Sequence, residues 1–360
     1  MQAFWFGTIA VLWAGFFLLE GFDFGVGMLL PLVARNDADR RIALRSIGPV
    51  WDGNEVWLIV AGGASFAAFP EWYATVFSGF YLAFALLLMG LILRGIGLEY
   101  RGKAASATGR SWCDAAIVVG SLLPALLIGV AFADFLRGVD MNAAHDMTGG
   151  FFALLSPYAL LGGLVSVSLF ALHGAAFLTL RTTGAVAEKA ARWSRIVGPM
   201  TLVYALVFLV WSTQLRSSVV SVLLAVVIAA AVAVSVLLVR MGRSGWTFIA
   251  TSVAAALLPV WTFAALWPDV LPARNSAALL LTVHNASSSP YTLKVMAVVA
   301  LVFTPIVLVY QAWAYWVFRA RVTGESSSYG SVDRAVAAAK ASARLTLGHA
   351  ADDAAPEVRA

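Results

Sequence analysis

The residues most able to do chemistry sit in two acidic clusters near the start of the chain. These are Glu20-Gly21-Phe22-Asp23-Phe24-Gly25-Val26-Gly27 and Trp51-Asp52-Gly53-Asn54-Glu55-Val56-Trp57, both embedded in apolar sequence. A carboxylate inside a lipid-spanning helix is unfavourable by about 2.5–3.5 kcal/mol on insertion scales, so four of them point to an ion or proton pathway, or to a paired internal network. Each pair is spaced i,i+3, which sets Glu20 beside Asp23 and Asp52 beside Glu55 on common helical faces. If those faces meet, at least one acid is expected to be protonated at neutral pH, because like charges close together in a desolvated site do not all ionise. Arg94 offers a different fate: it can pair with one or more of the acids and lock three helices together. Spacing alone leaves relay and pairing equally open.

The elements that must position these residues are membrane spans. Of the 360 residues, 61% are apolar and 12% charged, and the mean hydropathy is +0.86, outside the range of soluble globular proteins. Apolar runs of about twenty residues recur without strand-like alternation, as an all-helical spanning protein requires. Nine spans are predicted, at about 4–31, 47–69, 73–98, 112–136, 157–181, 194–214, 217–240, 245–267 and 291–319. The sixth and seventh meet at Gln214-Leu215-Arg216 and must form a hairpin. Loops with Arg35, Arg40, Arg41 and Arg45, then Arg101, Lys103 and Arg110, then Arg181, Lys189, Arg192 and Arg195, then Arg240 and Arg243, alternate with loops carrying only Arg137, Arg216 and Arg274. The positive-inside rule then sets the N-terminus outside and the C-terminus in the cytoplasm, with all four acids in the cytoplasmic half of the membrane. Measured from a span start at 47, Asp52 and Glu55 would lie about 8–12 Å in.

The net charge of +5 reports topology, since the basic residues sit in short loops; no nucleic-acid partner is implied. One cysteine, Cys113, leaves no internal disulfide and no thiolate cluster. The N-terminus lacks a basic stretch, so the first apolar segment is expected to be retained as a helix. Residues 1–320 form the membrane domain in this reading. Residues 321–360 form a cytoplasmic tail, expected to be partly disordered, with a short amphipathic helix around Val332 to Leu347.

Other polar residues carry less. Gly21 with Gly25, and Gly62 with Gly63, are expected to permit close helix approach. Trp57 lies deeper than an interfacial belt and is expected to pack. Of the histidines 145, 173, 284 and 349, only His173 is intramembrane, so a bis-histidine haem held by this chain alone is not expected, nor is any metal site. Met89, Met200 and Met296 read as apolar filler.

Several stretches nevertheless resemble one family. Glu-Gly-Phe-Asp-Phe-Gly-Val-Gly-Met-Leu at 20–29, Arg-Asn-Asp-Ala-Asp-Arg-Arg at 35–41 and Trp-Asp-Gly-Asn-Glu-Val-Trp-Leu at 51–58 are similar to subunit II of the cytochrome bd-type quinol oxidases. So are Phe-Ser-Gly-Phe-Tyr at 77–81, Asn-Ala-Ser-Ser-Ser-Pro-Tyr-Thr-Leu-Lys-Val-Met at 285–296 and Tyr-Gln-Ala-Trp-Ala-Tyr-Trp at 310–316. The resemblance implies a respiratory terminal oxidase of the bacterial cytoplasmic membrane that oxidises membrane quinol and reduces dioxygen to water. It implies nine helices arranged as two four-helix bundles plus one peripheral helix, paired with a subunit I that carries the haems (haem b558, haem b595 and haem d). It leaves room for small single-span accessory subunits and a structural quinone.

Residue by residue, the resemblance gives Asp52 to a cytoplasmic proton path and Trp57 to a lateral oxygen entry. Asp23 and Arg94 match positions whose charge is usually retained, while Glu20 and Glu55 fall where members vary between acid and amide. The alternative reading is a secondary transporter that uses the acid cluster as its site; clear inverted repeats and helices broken at mid-membrane, which would favour it, are not found.

Overall fold

The computed structural model describes residues 1–323, and the tail beyond them, with the helix expected around Val332 to Leu347, lies outside the described residues. Eleven α-helices account for most of the described chain: α1 (Gln2–Val33), α2 (Asp37–Ile47), α3 (Trp51–Ala68), α4 (Pro70–Gly79), α5 (Tyr81–Tyr100), α6 (Ala107–Arg137), α7 (Pro157–Arg181), α8 (Ala185–Leu215), α9 (Val219–Arg240), α10 (Ser244–Leu266) and α11 (Pro290–Val317). Eight of them, α1 and α5 to α11, are long and apolar enough to cross a membrane. The architecture is all-α apart from a small antiparallel pair, β1 (Asp269–Leu271) with β2 (Leu281–Thr282).

Three expected spans come out differently. The second begins at Trp51 rather than 47, because Gly48 and Pro49 separate it from α2, and the resulting α3 has 18 residues with Asp52 in its first turn. Asp52 is therefore at the mouth of that helix and not the expected distance inside it. The third span is divided at Gly79-Phe80 into α4 and α5. The sixth begins at Ala185 rather than 194, so Lys189, Arg192 and Arg195, read as loop residues, lie inside α8. The arginine-bearing segment read as a loop after the first span contains a complete helix, α2. Asn36 caps it by accepting from the Asp39 amide, with Asp37 and Asp39 in its first turn and Arg45 in its last, each placed to suit the helix dipole.

Caps written into the sequence set four of the other helix starts, those of α6, α7, α9 and α11. Ser106, Ser156 and Ser289 each accept a first-turn amide, and Ser218 and Ser221 form a reciprocal capping box. Pro157 and Pro290 follow two of those caps at the first helical position, where a missing N–H leaves no bond broken.

Helix α1 is the central element. A side chain at Gly25 would meet the Phe170 carbonyl and the Gly174 backbone, and one at Gly174 would collide with Gly25 and the Val26 amide. The main chains of α1 and α7 thus pass in direct contact, as small residues permit in lipid. Gly62 and Gly63 behave otherwise: α3 runs through them unbroken, and a side chain at either would meet nothing within 4 Å. They border a cavity of about 340 Å³ walled by Trp13, Leu58, Trp72, Phe132 and Phe135, so the expected close approach is absent there within this chain.

At the end of the bundle away from the arginine-rich loops, the two longer connections clasp each other. The Val139 amide donates to the Pro272 carbonyl (3.0 Å), the Arg274 amide donates to the Val139 carbonyl (2.9 Å), and the Arg274 guanidinium is ion-paired with Asp140. Helix α11 is peripheral: Leu293 is its one buried residue, and most of its apolar side chains face outward.

Candidate functional site

Glu20, Asp23 and Arg94 are fully buried, Glu55 is half-buried, and they meet where α1, α3 and α5 converge. The Arg94 guanidinium is ion-paired with Glu20 and lies 3.3 Å from Glu55 Oε2. It also sits 4.7 Å from the centre of the Phe24 ring, a cation–π contact that gains strength in a desolvated setting. One guanidinium therefore ties three helices through two carboxylates.

Asp23 is held differently. Its Oδ2 accepts from Asn54 Nδ2 at 2.7 Å, and the same amide group donates to the Leu19 carbonyl at 3.3 Å. Asn54 Oδ1 accepts from Gln311 Nε2 (3.1 Å) and from the Tyr315 hydroxyl (2.8 Å). Two donated and two accepted bonds exhaust what an asparagine side chain can make. Gln311 Oε1 in turn accepts from Trp57 Nε1 at 2.9 Å. Asn54 is thus a hub joining α1, α3 and the otherwise exposed α11, and with Gln311 and Tyr315 it was missed as a functional residue. The signal was present: a polar residue between two acids in an apolar helix, and a Gln and a Tyr four apart on the last span.

The cluster is unbalanced. Three carboxylates face one guanidinium, and among the described residues Glu20 Oε2 and Asp23 Oδ1 are buried without a hydrogen-bond partner. A buried oxygen with no donor costs free energy comparable to a lost hydrogen bond. Such a cluster has room for protons.

Asp52 does not join it. The hundred-degree step of the helix aims Glu55 at Arg94 while leaving Asp52 exposed, on a stripe with Val56, Ile59 and Phe66. Trp57 lays its indole where a side chain on Gly15 would stand, and it is not among the walls of the 340 Å³ cavity, although its neighbour Leu58 is. His173 is buried with both ring nitrogens engaged, Nε2 on the Leu18 carbonyl (3.1 Å) and Nδ1 with the Thr251 hydroxyl (2.8 Å). A carbonyl accepts only, so Nε2 carries the proton and Nδ1 accepts. Neither nitrogen is free to ligate a haem iron.

A second charged cluster lies at the arginine-rich end. Arg101 bonds Asp114 through Nε (2.5 Å) and Asp37 through Nη2 (2.9 Å), Arg40 reaches Asp114 (2.7 Å), Arg41 reaches Asp37 (2.5 Å), and Lys189 reaches Asp39 (3.0 Å). These pairs pin α2 beneath the bundle. Partial burial alone would raise the Asp37 carboxyl, but the hydrogen bond and charge of Arg101, with the charges of Arg41 and Arg110, outweigh it and hold the group below the usual carboxylate range.

Comparison with known proteins bears directly on this arrangement. The cytochrome bd terminal oxidase subunit II family model matches residues 1–318. The chain belongs to that family. It is 39% identical to the cytochrome bd ubiquinol oxidase subunit 2 of Bacillus subtilis, over 89% of this chain and 96% of that one. It is 38% identical to the cytochrome bd-I ubiquinol oxidase subunit 2 of Escherichia coli, over 89% and 95%. The fold is similar to a chain of the bd oxidase from Geobacillus thermodenitrificans, with a TM-score of 0.70 at 18% identity, covering 88% of this chain and 96% of that one. As a family member with eight candidate spans, it is a multi-pass protein of the bacterial inner membrane. The transporter reading is not favoured, since these relatives are named as oxidase subunits.

Proposed function

We propose that this chain is the subunit of a quinol:oxygen oxidoreductase that holds protons beside a haem-bearing subunit I, without carrying redox chemistry itself. The observation behind this reading is the buried excess of acid: Glu20, Asp23 and Glu55 around the single guanidinium of Arg94, with two carboxylate oxygens unpartnered. Haems would supply the electron transfer and oxygen chemistry, and they are assigned to subunit I. His173, whose two nitrogens are engaged within the chain, is not offered as a ligand.

Asp52, exposed in the first turn of α3, is the entry point in this proposal. It takes protons from the cytoplasm on the outward stripe that includes Val56, Ile59 and Phe66, the face we assign to subunit I. Glu55, one turn further along, leads inward to Glu20 and Asp23. Dioxygen is given the apolar space next to Leu58, with Trp57 bordering its approach and held by Gln311. In the same reading α3 is the ninth crossing, α4 and α5 form one broken crossing, α11 is the peripheral helix beside two four-helix bundles, and the arginine-rich end is cytoplasmic.

The deciding measurement is oxygen consumption by the purified, fully haem-loaded complex carrying Asp52→Asn. A drop of tenfold or more, in line with general acid–base contributions of roughly 10²–10⁴, with haem content unchanged, supports the proton role. Loss of haem in place of rate assigns Asp52 to assembly, and unchanged turnover removes it from the path.

A further inference from the structure

A cavity of about 440 Å³ lies at the arginine-rich end of the bundle, between the α2–α3 connection, the end of α7, the start of α10 and the end of α11. Its walls are apolar, chiefly Val50, Phe177, Leu180, Phe248 and Phe318, and its rim carries Arg181, Arg319 and Arg321. From this geometry we infer a binding site for the phosphate headgroup of an anionic phospholipid.

The chain backbone builds the rim. After α11 the chain folds back on the end of α7, where the Val322 amide donates to the Arg181 carbonyl at 2.8 Å. Arg321 Nε donates to the Leu180 carbonyl at 3.0 Å, Arg319 Nη1 donates to the Trp316 carbonyl at 2.7 Å, and the Arg181 guanidinium donates to the Phe318 carbonyl. Each guanidinium is anchored by main chain and keeps further N–H donors, of which arginine has five. Among the described residues none of the three stands in an ion pair with a carboxylate, whereas Arg40, Arg41, Arg101 and Arg110 at the same end all do.

Anchored guanidinium groups suit phosphate oxygens, which they meet through paired N–H donors. The aromatic and aliphatic walls below suit the glycerol and upper acyl chains, and basic pockets between spans at the cytoplasmic side are recognised headgroup sites. The combination of a cationic rim with an apolar interior selects an amphiphile over a free ion. On the inner wall is Tyr315, whose hydroxyl bonds Asn54, so an occupant would touch the residue that fastens α11 to the buried acids.

The test uses the intact complex, delipidated by detergent washing and titrated in mixed micelles with dioleoyl phosphatidylglycerol, with native mass spectrometry counting the retained lipid. Arg181→Gln/Arg319→Gln/Arg321→Gln is expected to weaken retention of one phosphatidylglycerol by about a hundredfold, each arginine near a charged surface contributing roughly fivefold. Arg319→Gln/Arg321→Gln, altering two exposed side chains and leaving Arg181 in place, is expected to weaken it by roughly 25-fold on the same footing. Leu180→Trp, which fills the cavity and keeps every arginine, is expected to lower retention as well. Equal retention by wild type and the double variant overturns the site. Displacement by equimolar inorganic phosphate overturns the lipid in favour of a free ion. An adduct that forms only after removal of residues 324–360 overturns it in favour of the chain filling its own cavity.

Discussion

Two charged clusters hold this protein together, and they differ in their balance. At the arginine-rich end, Asp37 and Asp114 are surrounded by Arg40, Arg41, Arg101 and Arg110, and Asp39 has Lys189, so cations outnumber the carboxylates they pair with. Inside the bundle, Glu20, Asp23 and Glu55 share Arg94 alone. The first cluster reaches the surface through Arg41 and Asp37, whose side chains are half-exposed, although Arg101 and Asp114 are buried. The second has only the protein, so an unsatisfied oxygen remains unsatisfied until a proton or a neighbour arrives. The first arrangement is a fastening for α2. The second fastens three helices and retains capacity for change.

The sharpest way to break that contrast is to remove the buried cation. Arg94→Gln leaves Glu20 and Glu55 without their partner and is expected to cost about 3–5 kcal/mol, read as a collapse in the yield of assembled complex. Adding Glu20→Gln to it should recover much of the loss, because the pair then disappears together; a double variant no better than Arg94→Gln alone would show that the two residues are not coupled.

Next in size is the hub. Asn54→Leu deprives Asp23, Gln311 and Tyr315 of partners at once, at about 1–3 kcal/mol for each buried group left unsatisfied. Thermal unfolding of the purified complex should shift down accordingly, and proteolysis should release α11 first. If α11 stays protected, its attachment lies elsewhere, for instance in the bond from Trp5 Nε1 to the Leu293 carbonyl (2.9 Å).

Arg101→Gln should matter less than Arg94→Gln, about 1–3 kcal/mol, because Arg101 is buried but Arg40 still serves Asp114, and Arg41 and Arg110 still serve Asp37. The part that acts through the half-exposed Asp37 should shrink at high salt, whereas the effect of Arg94→Gln should not.

The smallest expected effect is on pH dependence through Asp37. Its carboxyl is held below the ordinary value in the folded protein, so its contribution to stability is fully present above the unfolded value of about 3.9. It is lost as pH falls through the lower folded value. Asp37→Asn should therefore destabilise at neutral pH and converge with wild type in strong acid, as followed by denaturation midpoints across pH. A difference that persists unchanged below that range would assign the loss to packing and not to charge.

Much of this was legible in the residues. Ser156-Pro157 and Ser289-Pro290 mark helix starts to within a residue, since a side-chain oxygen followed by a residue without an N–H is a local device. The apolar runs and the alternation of arginine-bearing loops are equally local. Helix α2 was harder to see: its charged residues read as a loop because its stability rests on Arg101, Asp114 and Lys189, which lie elsewhere in the chain. The role of Gly62 and Gly63 was hidden for the same reason, since small residues at a cavity and at a helix contact look alike until the neighbour is known.

The sequence by itself determined that the chain is a helical membrane protein with acids where lipid would exclude them, because hydropathy, caps and charge act within a few residues of where they are written. Only the tertiary structure decided which acids belong together. Asp52 and Glu55 share a helical face by spacing, yet three residues of helix rotate far enough that one meets Arg94 and the other stays exposed. Asn54, between them, reaches Asp23 on one side and α11 on the other. Contact between distant parts of the chain depends on how helices turn against one another, and that is set by packing along their whole length.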